Sequence, residues 1–360
     1  MQIVRFNKRI VGDGHPCFIT FEAGPTHNGL DSAKRLVKLA ALAGADAVKF
    51  QILDPDRLVA DRKQLFTYQV LVDRSSGKME TISESLYDIF VRRALTQQEW
   101  RELKKYCDEL DLIFFATVGF IDEIELLENI GCHSVKIASA DVNHFPLIRR
   151  AAKTGMCIQL DTGKSSVGEI EMAVDVIRSE GNENIIIHHC PSGYPARLES
   201  INLNVIPTLR RVFPYPIAFS DHTPGNTMDI AAVALGANLV EKTITEDRTT
   251  RSVEHVMSLE PEEMKNFIST IREVEMALGS AQRVLHPKEK EDRLAIRRSV
   301  YLTKPAKRGA KLRDCPIEFR RPGFGIAPDR YEELLEATLT SDLPTGHCLR
   351  LTDLVWSEGI

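Results

Sequence analysis

The sequence lacks any apolar run of about 18 residues, the length that a membrane-spanning helix requires. Its first residues, Met1 to Phe6, lack the apolar core and cleavage site of a secretory signal peptide. The net charge is only −5, so no strongly positive surface is expected to attract nucleic acid or an anionic membrane. These absences predict a cytoplasmic protein with neither a membrane nor nucleic acid as partner.

Cysteine is scarce, and its pattern excludes a disulfide framework. The seven cysteines are odd in number, are scattered between Cys17 and Cys348, and form no C-x-x-C motif. We therefore expect reduced thiols, most of them in the core. The sequence also lacks a G-x-S-x-G elbow and a G-x-G-x-x-G loop, so neither a serine hydrolase nor a dinucleotide-binding fold is indicated.

Eight short apolar runs alternate with amphipathic helical patterns over the first 280 residues. Runs of this kind are typical of strands that are buried on both faces of a parallel sheet. The predicted strands are 17–21, 46–51, 112–117, 134–138, 156–161, 185–190, 216–220 and 238–243, and the last helix is predicted near 261–278. Eight strands, each followed by a helix, predict an α/β fold of the (β/α)₈ TIM-barrel type rather than a doubly wound open sheet. The preceding residues, 1–16, are interpreted as an irregular lead-in or a hairpin over the barrel floor.

Two regions interrupt the alternation. The long connection 52–95 is interpreted as a lid or substrate-binding insertion on the C-terminal face, with a surface decoration as the alternative. After residue 280 a charged segment, 281–296, is interpreted as a linker to a small β-rich domain, 297–360. In that last part Leu302, Gly309 and Leu312 recur as Leu339, Gly346 and Leu349, so an internal repeat with an offset of 37 residues is predicted.

In a barrel the C-terminal strand ends share one cavity, and here those ends are polar. The residues concerned are Glu22, Lys49, Gln51, Thr117, Lys136, Ser139, Asp161, Thr162, Lys164, His189, Ser220, Asp221, His222, Glu241, Lys242 and Thr243. The lysines and hydroxyls predict a site for a phosphate or a carboxylate. His189 and His222, with Asp221 and Glu241, could hold a divalent ion, whereas His188 is predicted to pack against a helix.

Several motifs resemble those of the sialic acid synthase family. They are Glu22-Ala23-Gly24-x-x-His27-Asn28-Gly29, Ala43-Gly44-Ala45-Asp46-Ala47-Val48-Lys49-Phe50-Gln51, Lys136-Ile137-Ala138-Ser139, His189-Cys190-x-x-x-Tyr194-Pro195 and Ser220-Asp221-His222-Thr223. The segment Arg321-Pro322-Gly323-x-Gly325-Ile326 resembles the family's C-terminal antifreeze-like (SAF) domain, which has a β-clip fold. The resemblance implies a carbon–carbon bond-forming transferase that condenses phosphoenolpyruvate with an N-acylated amino sugar to give a nonulosonic acid.

The resemblance also implies roles for individual residues. Glu22 and His222 are implied to be catalytic, with His222 and Glu241 as ligands of a divalent metal (Mn²⁺ or Mg²⁺). The implied substrate-binding residues are Lys49, Thr117, Lys136, Ser139, Thr162 and Ser220 for phosphoenolpyruvate, and Gln51, Tyr194, Glu254 and Arg321 for the sugar. Because Arg321 reaches the active site of a partner subunit in this family, a domain-swapped homodimer is expected.

The chain departs from the family pattern at the metal site and at the fifth predicted strand end. Thr243 stands where a second metal-binding histidine is usual, and Asp161 stands where a phosphate-binding serine is usual. Asp161 either replaces a metal ligand or pairs with Lys164. Two alternatives therefore stay open: condensation of phosphoenolpyruvate with a different aldose or without a metal, and an impaired relative that only binds a sugar or acts as a scaffold.

Overall fold

A computed structural model of the chain describes residues 2–6 and 8–356. The chain divides into two units, Met1–Gly279 and Ser280–Ile360. The strands of the first unit are β1 (Val4–Phe6), β2 (Arg9–Val11), β3 (Phe18–Glu22), β4 (Ala47–Gln51), β5 (Leu65–Asp73), β6 (Lys78–Ser85), β7 (Ile113–Val118), β8 (Ser134–Ile137), β9 (Cys157–Asp161), β10 (Ile185–His189), β11 (Ile217–Asp221) and β12 (Leu239–Thr243).

Eight of these strands form a closed parallel barrel. Their order is β3, β4, β7, β8, β9, β10, β11 and β12, and β12 pairs with β3 to close the ring. Each predicted strand agrees with an observed one to within one residue at either end. The predicted (β/α)₈ barrel is therefore confirmed.

Helices of the first unit cover the outside of the barrel. They are α1 (Leu30–Ala43), α2 (Pro55–Leu58), α3 (Leu86–Val91), α4 (Gln97–Glu109), α5 (Ile121–Asn129), α6 (Phe145–Ala152), α7 (Val167–Ser179), α8 (Leu198–Ile201), α9 (Val205–Val212), α10 (Thr227–Ala234) and α11 (Pro261–Leu278). Local sequence sets their ends: Thr96 and Glu99 form a capping box at the start of α4, and Gly44, with φ of 90°, ends α1. No helix in the described residues is both long and apolar enough to cross a membrane.

A short hairpin closes the floor of the barrel. Strands β1 and β2 pair antiparallel, and Val4, Phe6 and Val11 pack against the lowest inward residues of the barrel strands. The aromatic ring of Phe6 meets those of Phe18 and Phe115 edge-on. The predicted hairpin over the floor is thus confirmed. Because it closes this end of the barrel, the barrel is open at the opposite end, where the strands have their C-terminal ends.

The insertion after β4 is an ordered hairpin with flanking helices, not an irregular loop. Strands β5 and β6 pair antiparallel, and Tyr68, Val70 and Ile89 share a small apolar core with Val253, from the connection after β12. Arg74 adds a hydrogen bond to Asp247, 2.6 Å long, in the same connection. These contacts hold the insertion at the C-terminal end of the barrel.

The second unit contains α12 (Pro287–Ile296), β13 (Ser299–Leu302), β14 (Ile317–Arg320), α13 (Pro328–Tyr331), β15 (Thr338–Leu339) and β16 (Leu354–Val355). Helix α12 lies within the segment predicted to be a linker, so that segment is not irregular throughout. Proline in its first turn and a capping box of His286 and Glu289 start this helix.

The predicted internal repeat is a structural one. The N–H of Leu302 donates to the carbonyl of His347, and the N–H of Leu339 donates to the carbonyl of Ala310. Leu302 corresponds to Leu339 in the repeat and Ala310 to His347, so the two halves form equivalent bonds to each other. Gly309 and Gly346 occupy equivalent left-handed turns, with φ of 81° and 82°. Both are glycine because a side chain is strained in that conformation. The repeated leucines, Leu302, Leu312, Leu339 and Leu349, form the core of this unit.

Candidate active site

Strand parity decides which side chains reach the inside of the barrel, because alternate residues of a strand point to opposite faces. On β3, Phe18 belongs to the floor, and Thr20 and Glu22 follow it inward toward the open end. Counted in the same way from the floor residue of their strands, the inward residues include Lys49, Gln51, Thr117, Asp161, His188, Ser220, Glu241 and Thr243. The interior is therefore apolar at the floor and polar above it.

Lys136 is the centre of the polar layer. Its ammonium group donates to both carboxylate oxygens of Glu241, each at 2.7 Å, and to the hydroxyl of Ser220 at 3.1 Å. The carboxylate of Asp161 lies 3.0 Å away. Burial lowers the pKa of a lysine, but here Asp161 and Glu241 outweigh burial and hold the pKa of Lys136 above its ordinary value. Lys136 is thus a permanently charged cation within the barrel.

Lys49 joins Glu241 to Glu22. Its ammonium group donates to Glu241 at 2.6 Å and forms an ion pair with Glu22. Burial lowers the pKa of Lys49 more than Glu241 raises it, with Lys136 adding repulsion. Burial would raise the pKa of Glu241, but the ammonium groups of Lys136 and Lys49 hold it well below its ordinary value. The result is a preformed network of two ammonium groups and three carboxylates, the third being that of Asp161.

The backbone after β3 fixes the second oxygen of Glu22. The N–H of Gly24 donates to the carboxylate at 2.5 Å. A Cβ atom at this position would lie 2.5 Å from Glu22 Oε1 and 2.8 Å from the backbone nitrogen of Gln51. Glycine is required here because no side chain fits between these groups.

The predicted orientation of the two adjacent histidines is wrong. His188 is fully buried inside the barrel, where its ring contacts the hydroxyl of Ser220 and the side chain of Gln159, each at 2.9 Å. His189 points outward, and its Nε2 lies 2.6 Å from the carbonyl of Ile201. The reason is parity, since Ile186 belongs to the floor and His188 is two residues beyond it. Burial and Lys136 lower the pKa of His188 to about 3, so it is neutral.

Lys242 and Asp221 are also outside the barrel, contrary to prediction. Lys242 pairs with Asp221 and donates to the carbonyl of Thr223 at 2.5 Å. The carboxylate of Asp229, on α10, lies 3.4 Å from the same ammonium group. This buried cluster joins β11 and β12 to α10, and it offers nothing to a substrate in the barrel.

Asp161 and Thr162 have partners within the protein. The carboxylate of Asp161 accepts from Ser220 at 3.0 Å and pairs with Lys136, which is a different lysine from the expected Lys164. The hydroxyl of Thr162 donates to the carbonyl of His188 at 2.7 Å. Both side chains are therefore held by contacts within the protein.

A cavity of about 480 Å³ opens above this layer. The predicted residues that line it are Glu22, Lys49, Gln51, Thr117, Ser139, Asp161, Lys164, Tyr194, His222, Glu241 and Glu254. Lys136, Ser220 and Thr162 lie beneath its surface and do not line it. Arg321 belongs to the second unit. The cavity is large enough for phosphoenolpyruvate and a hexose-sized partner together.

The insertion supplies one side of the cavity and a residue that the sequence analysis missed. Phe66, Leu86, Ile89 and Phe90 form an apolar wall, and Arg93 lies beside them. Arg93 is only 4% exposed. No signal in the local sequence marks Arg93, which follows the helix Leu86–Val91.

His222 is oriented as a metal ligand would be, but a second imidazole is missing. Its Nδ1 lies 3.0 Å from the carbonyl of Pro191, so Nδ1 carries the proton and Nε2 is left with a free lone pair. Thr243 stands beside Glu22 in the strand register, and Glu241 has both oxygens occupied by lysine. Among the described residues, no three His, Cys, Asp or Glu side chains are grouped to hold a metal. The donor set therefore does not fit the implied metal.

Comparison with known proteins identifies the family. The model of the NeuB family matches residues 36–283. The chain belongs to the NeuB family. NeuB enzymes condense phosphoenolpyruvate with an amino sugar, and this chain is a carbon–carbon bond-forming transferase of that family.

Individual NeuB relatives cover much of the chain. The N,N'-diacetyllegionaminic acid synthase of Legionella pneumophila is 32% identical over 353 residues, which is 96% of either chain. Human N-acetylneuraminate-9-phosphate synthase is 35% identical over 288 residues, 78% of this chain and 76% of its own. The structure of an N-acetylneuraminic acid synthetase from Leptospira borgpetersenii superposes with a TM-score of 0.71, at 29% identity, over 81% of this chain and 95% of its own.

Proposed function

We propose that the protein condenses phosphoenolpyruvate with the open-chain aldehyde of an N-acylated amino sugar, giving a nonulosonic acid and phosphate. The observation that carries this is the Lys136–Glu241–Lys49–Glu22 network at the base of the cavity. It provides two buried ammonium groups, which suit an anionic substrate, and a carboxylate of the kind that relays a proton. Preorganised charges of this kind stabilise developing charge without rearrangement.

The bond changes balance as follows. C3 of phosphoenolpyruvate forms a bond to the aldehyde carbon, and the aldehyde oxygen takes up a proton. Water adds to C2, loses a proton, and the C–O bond to phosphate breaks. Glu22 is the proposed proton relay, because it faces the cavity and is held by Gly24 and Lys49.

The remaining assignments follow the geometry and the family. Lys49, Thr117 and Ser139, with Lys136 and Ser220 beneath them, are proposed to bind phosphoenolpyruvate. Gln51, Tyr194 and Glu254 are proposed to contact the sugar, with Arg321 supplied by the partner subunit of a swapped homodimer. His222, whose ring lies 4.7 Å from that of Tyr194, is proposed to orient the aldehyde. No step is assigned to a metal.

A phosphate-release screen tests the proposal. The enzyme is incubated with phosphoenolpyruvate and a panel of aldoses, with and without N-acyl groups. Release that depends on an N-acylated amino sugar supports the proposal. No release with any aldose, together with saturable sugar binding, contradicts it and favours a sugar-binding relative.

A further inference from the structure

Lys164 lines the cavity but has no role among those that the family implies. It follows the end of β9 by three residues, and it is exposed to solvent. Among the described residues, no carboxylate forms an ion pair with its ammonium group and no group accepts a hydrogen bond from it. A lysine that lines a cavity without an anionic partner is free to bind an anionic ligand.

The backbone of Lys164 has a conformation that lysine rarely adopts. The N–H of Ser165 donates to the carbonyl of Thr162 at 3.2 Å, which closes a four-residue turn. Lys164 is the third residue of this turn, and its φ is 61°. A positive φ at that place favours glycine or asparagine, because a side chain is strained in the left-handed region. Since glycine would relieve this strain, the presence of lysine indicates a use for its side chain.

The same turn is held against Ser139, a proposed ligand of phosphoenolpyruvate. The N–H of Gly163 donates to the hydroxyl oxygen of Ser139 at 2.9 Å. A Cβ atom on Gly163 would lie 2.7 Å from the carbonyl oxygen of Cys190 and 2.8 Å from Ser139 Oγ, so no side chain fits there. Lys164 is therefore adjacent in the chain to a residue that contacts a proposed substrate-binding hydroxyl.

The buried part of the site has no net positive charge to offer an anion. Its carboxylates outnumber its ammonium groups, since Glu22, Asp161 and Glu241 stand against Lys49 and Lys136. Phosphoenolpyruvate carries both a phosphate and a carboxylate, so its binding calls for a further cation. Lys164 supplies that cation on the same cavity wall as Asp161, which is the third carboxylate of the network.

The strand order places Lys164 across the barrel from the reacting end of the site. β9 is four strands from β3 in the ring of eight, so the two lie on opposite sides. Glu22, at the end of β3, is the proposed proton relay, and the carbon atoms that react are expected beside it. The phosphate of phosphoenolpyruvate can then extend toward β9. Arg93 also lines the cavity, but Glu254 is close to it, which suits a phosphate less well.

We propose that the ammonium group of Lys164 binds the phosphate of phosphoenolpyruvate together with the hydroxyl of Ser139. In this role Lys164 compensates for Asp161, whose carboxylate pairs with Lys136. The inference rests on the proposed function, and it adds one substrate-binding residue to it.

The test uses Lys164→Gly, which removes the ammonium group and relieves the turn. Dissociation constants are measured by calorimetry for phosphoenolpyruvate, and by competition with it for inorganic phosphate and pyruvate. We expect the constants of phosphoenolpyruvate and phosphate to rise by roughly 10–100-fold, the value of a hydrogen bond to a charged group, and that of pyruvate to stay unchanged. In turnover, KM for phosphoenolpyruvate should rise while kcat stays the same, because the contact is present before and during the reaction. Lys164→Arg, which keeps the charge, should retain most of the affinity.

The stability of the same variant separates a binding role from a structural one. Because glycine is unstrained at this φ, the melting temperature of Lys164→Gly should rise by on the order of 2 °C. Asp111→Gly is the matched control. Asp111 has φ of 51° in the connection from α4 to β7, at the floor end of the barrel, and it does not line the cavity. Its replacement should raise the melting temperature similarly and leave the affinity for phosphoenolpyruvate unchanged.

Three results would overturn the inference. They are an unchanged affinity of Lys164→Gly for phosphoenolpyruvate, a loss of affinity for pyruvate rather than for phosphate, and weaker binding by a variant that is less stable than the wild type. A wild-type protein that neither binds nor turns over phosphoenolpyruvate contradicts the proposed function itself, and the inference falls with it.

Discussion

Lys136 and Glu241 form a two-pronged contact, with the ammonium group 2.7 Å from each carboxylate oxygen. The lysine side chain is fully buried and that of Glu241 is 5% exposed. They lie on opposite parts of the ring, since β8 and β12 are not neighbours in the barrel. The contact therefore ties the polar layer together across the interior, and the layer exists before any substrate binds.

Removing the lysine should damage both stability and activity. Lys136→Met leaves Glu241 and Asp161 buried without their main cation, which typically costs about 3–5 kcal/mol. We expect the free energy of unfolding to fall by that amount, measured by urea denaturation at neutral pH. Phosphate release should be lost as well.

Lys34→Met provides the comparison, because Lys34 pairs with Glu102 on the outer surface of the same unit. An exposed pair contributes about 1 kcal/mol or less. Equal destabilisation by the two substitutions would show that the interior contact contributes no more to stability than an exposed ion pair.

Glu22→Gln should separate binding from chemistry. The substitution keeps the shape of the side chain but removes the proton relay, so kcat should fall by roughly 10²–10⁴. The affinity for phosphoenolpyruvate, measured by calorimetry, should change little because Lys49 keeps Glu241 as a partner. Near-normal turnover by this variant would refute the assignment of Glu22.

Glu123 should make the barrel unit less stable at high pH. It is 5% exposed, accepts N–H bonds from Gly119 and Phe120, and has one oxygen with no partner. Burial raises its pKa to about 7 from an ordinary 4.5. The folded form therefore keeps the proton longer, so the contribution of Glu123 to stability is full below pH 4.5 and is lost as the pH rises through 7. Glu123→Gln should stabilise the unit at pH 8 by on the order of 2 kcal/mol, and by little below pH 4.5.

Asp122→Asn should show the opposite sign. Hydrogen bonds from Arg57 lower the pKa of Asp122, so this carboxyl favours the folded state when ionised. Its replacement should destabilise the unit above pH 4 and have no effect in acid. If the free energy of unfolding changes with pH in the same direction for the two variants, both assignments are contradicted.

Thr243→His should create the missing half of a metal site. Thr243 neighbours Glu22 in the strand register, at the open end of β12 next to the strand that leads to His222. A second imidazole should lower the dissociation constant of Mn²⁺, measured by calorimetry without substrate. The expected decrease is at least roughly 10–100-fold, which is the effect of the residues that hydrogen-bond to metal ligands. Thr245→His, which adds an imidazole on the same connection but against His255, is the control. An affinity that Thr243→His leaves unchanged would show that His222 is not poised for a metal.

Subunit mixing tests the proposed contribution of Arg321 from a partner. Glu22→Gln and Arg321→Ala are each expected to be inactive. Coexpression of the two should restore about a quarter of the active sites, because half of the dimers are mixed and each has one intact site. No recovery in verified mixed dimers would show that Arg321 acts within its own subunit or not at all.

The positions of the barrel strands could be predicted because buried parallel strands are apolar and separated by helix stops such as Gly44 and Gly155. The direction of each side chain is harder to predict, because a shift of one residue in the inferred strand end turns every side chain of the strand to the opposite face of the sheet. For this reason the sequence predicts His189 and Lys242 in the cavity and His188 outside it, each opposite to its observed direction. The same alternation, anchored on the floor residue Ile186, would have corrected the histidines.

Arg93 could not be predicted as a cavity residue, because nothing in local sequence shows where a long insertion folds back. Its position depends on the packing of Tyr68 and Val70 against Val253, which is 160 residues from Arg93 in the chain. Asp161 presents the same difficulty. Its partner is Lys136 across the strand ladder rather than the nearby Lys164.

The most direct test of the proposed chemistry is whether the released phosphate takes up oxygen from ¹⁸O-labelled water. The enzyme is supplied with phosphoenolpyruvate and an N-acylated amino sugar, and the released phosphate is examined by mass spectrometry. Carbon–oxygen cleavage after condensation predicts one unlabelled phosphate for each nonulosonic acid formed. Labelled phosphate, or release that does not depend on the sugar, would contradict the proposed condensation.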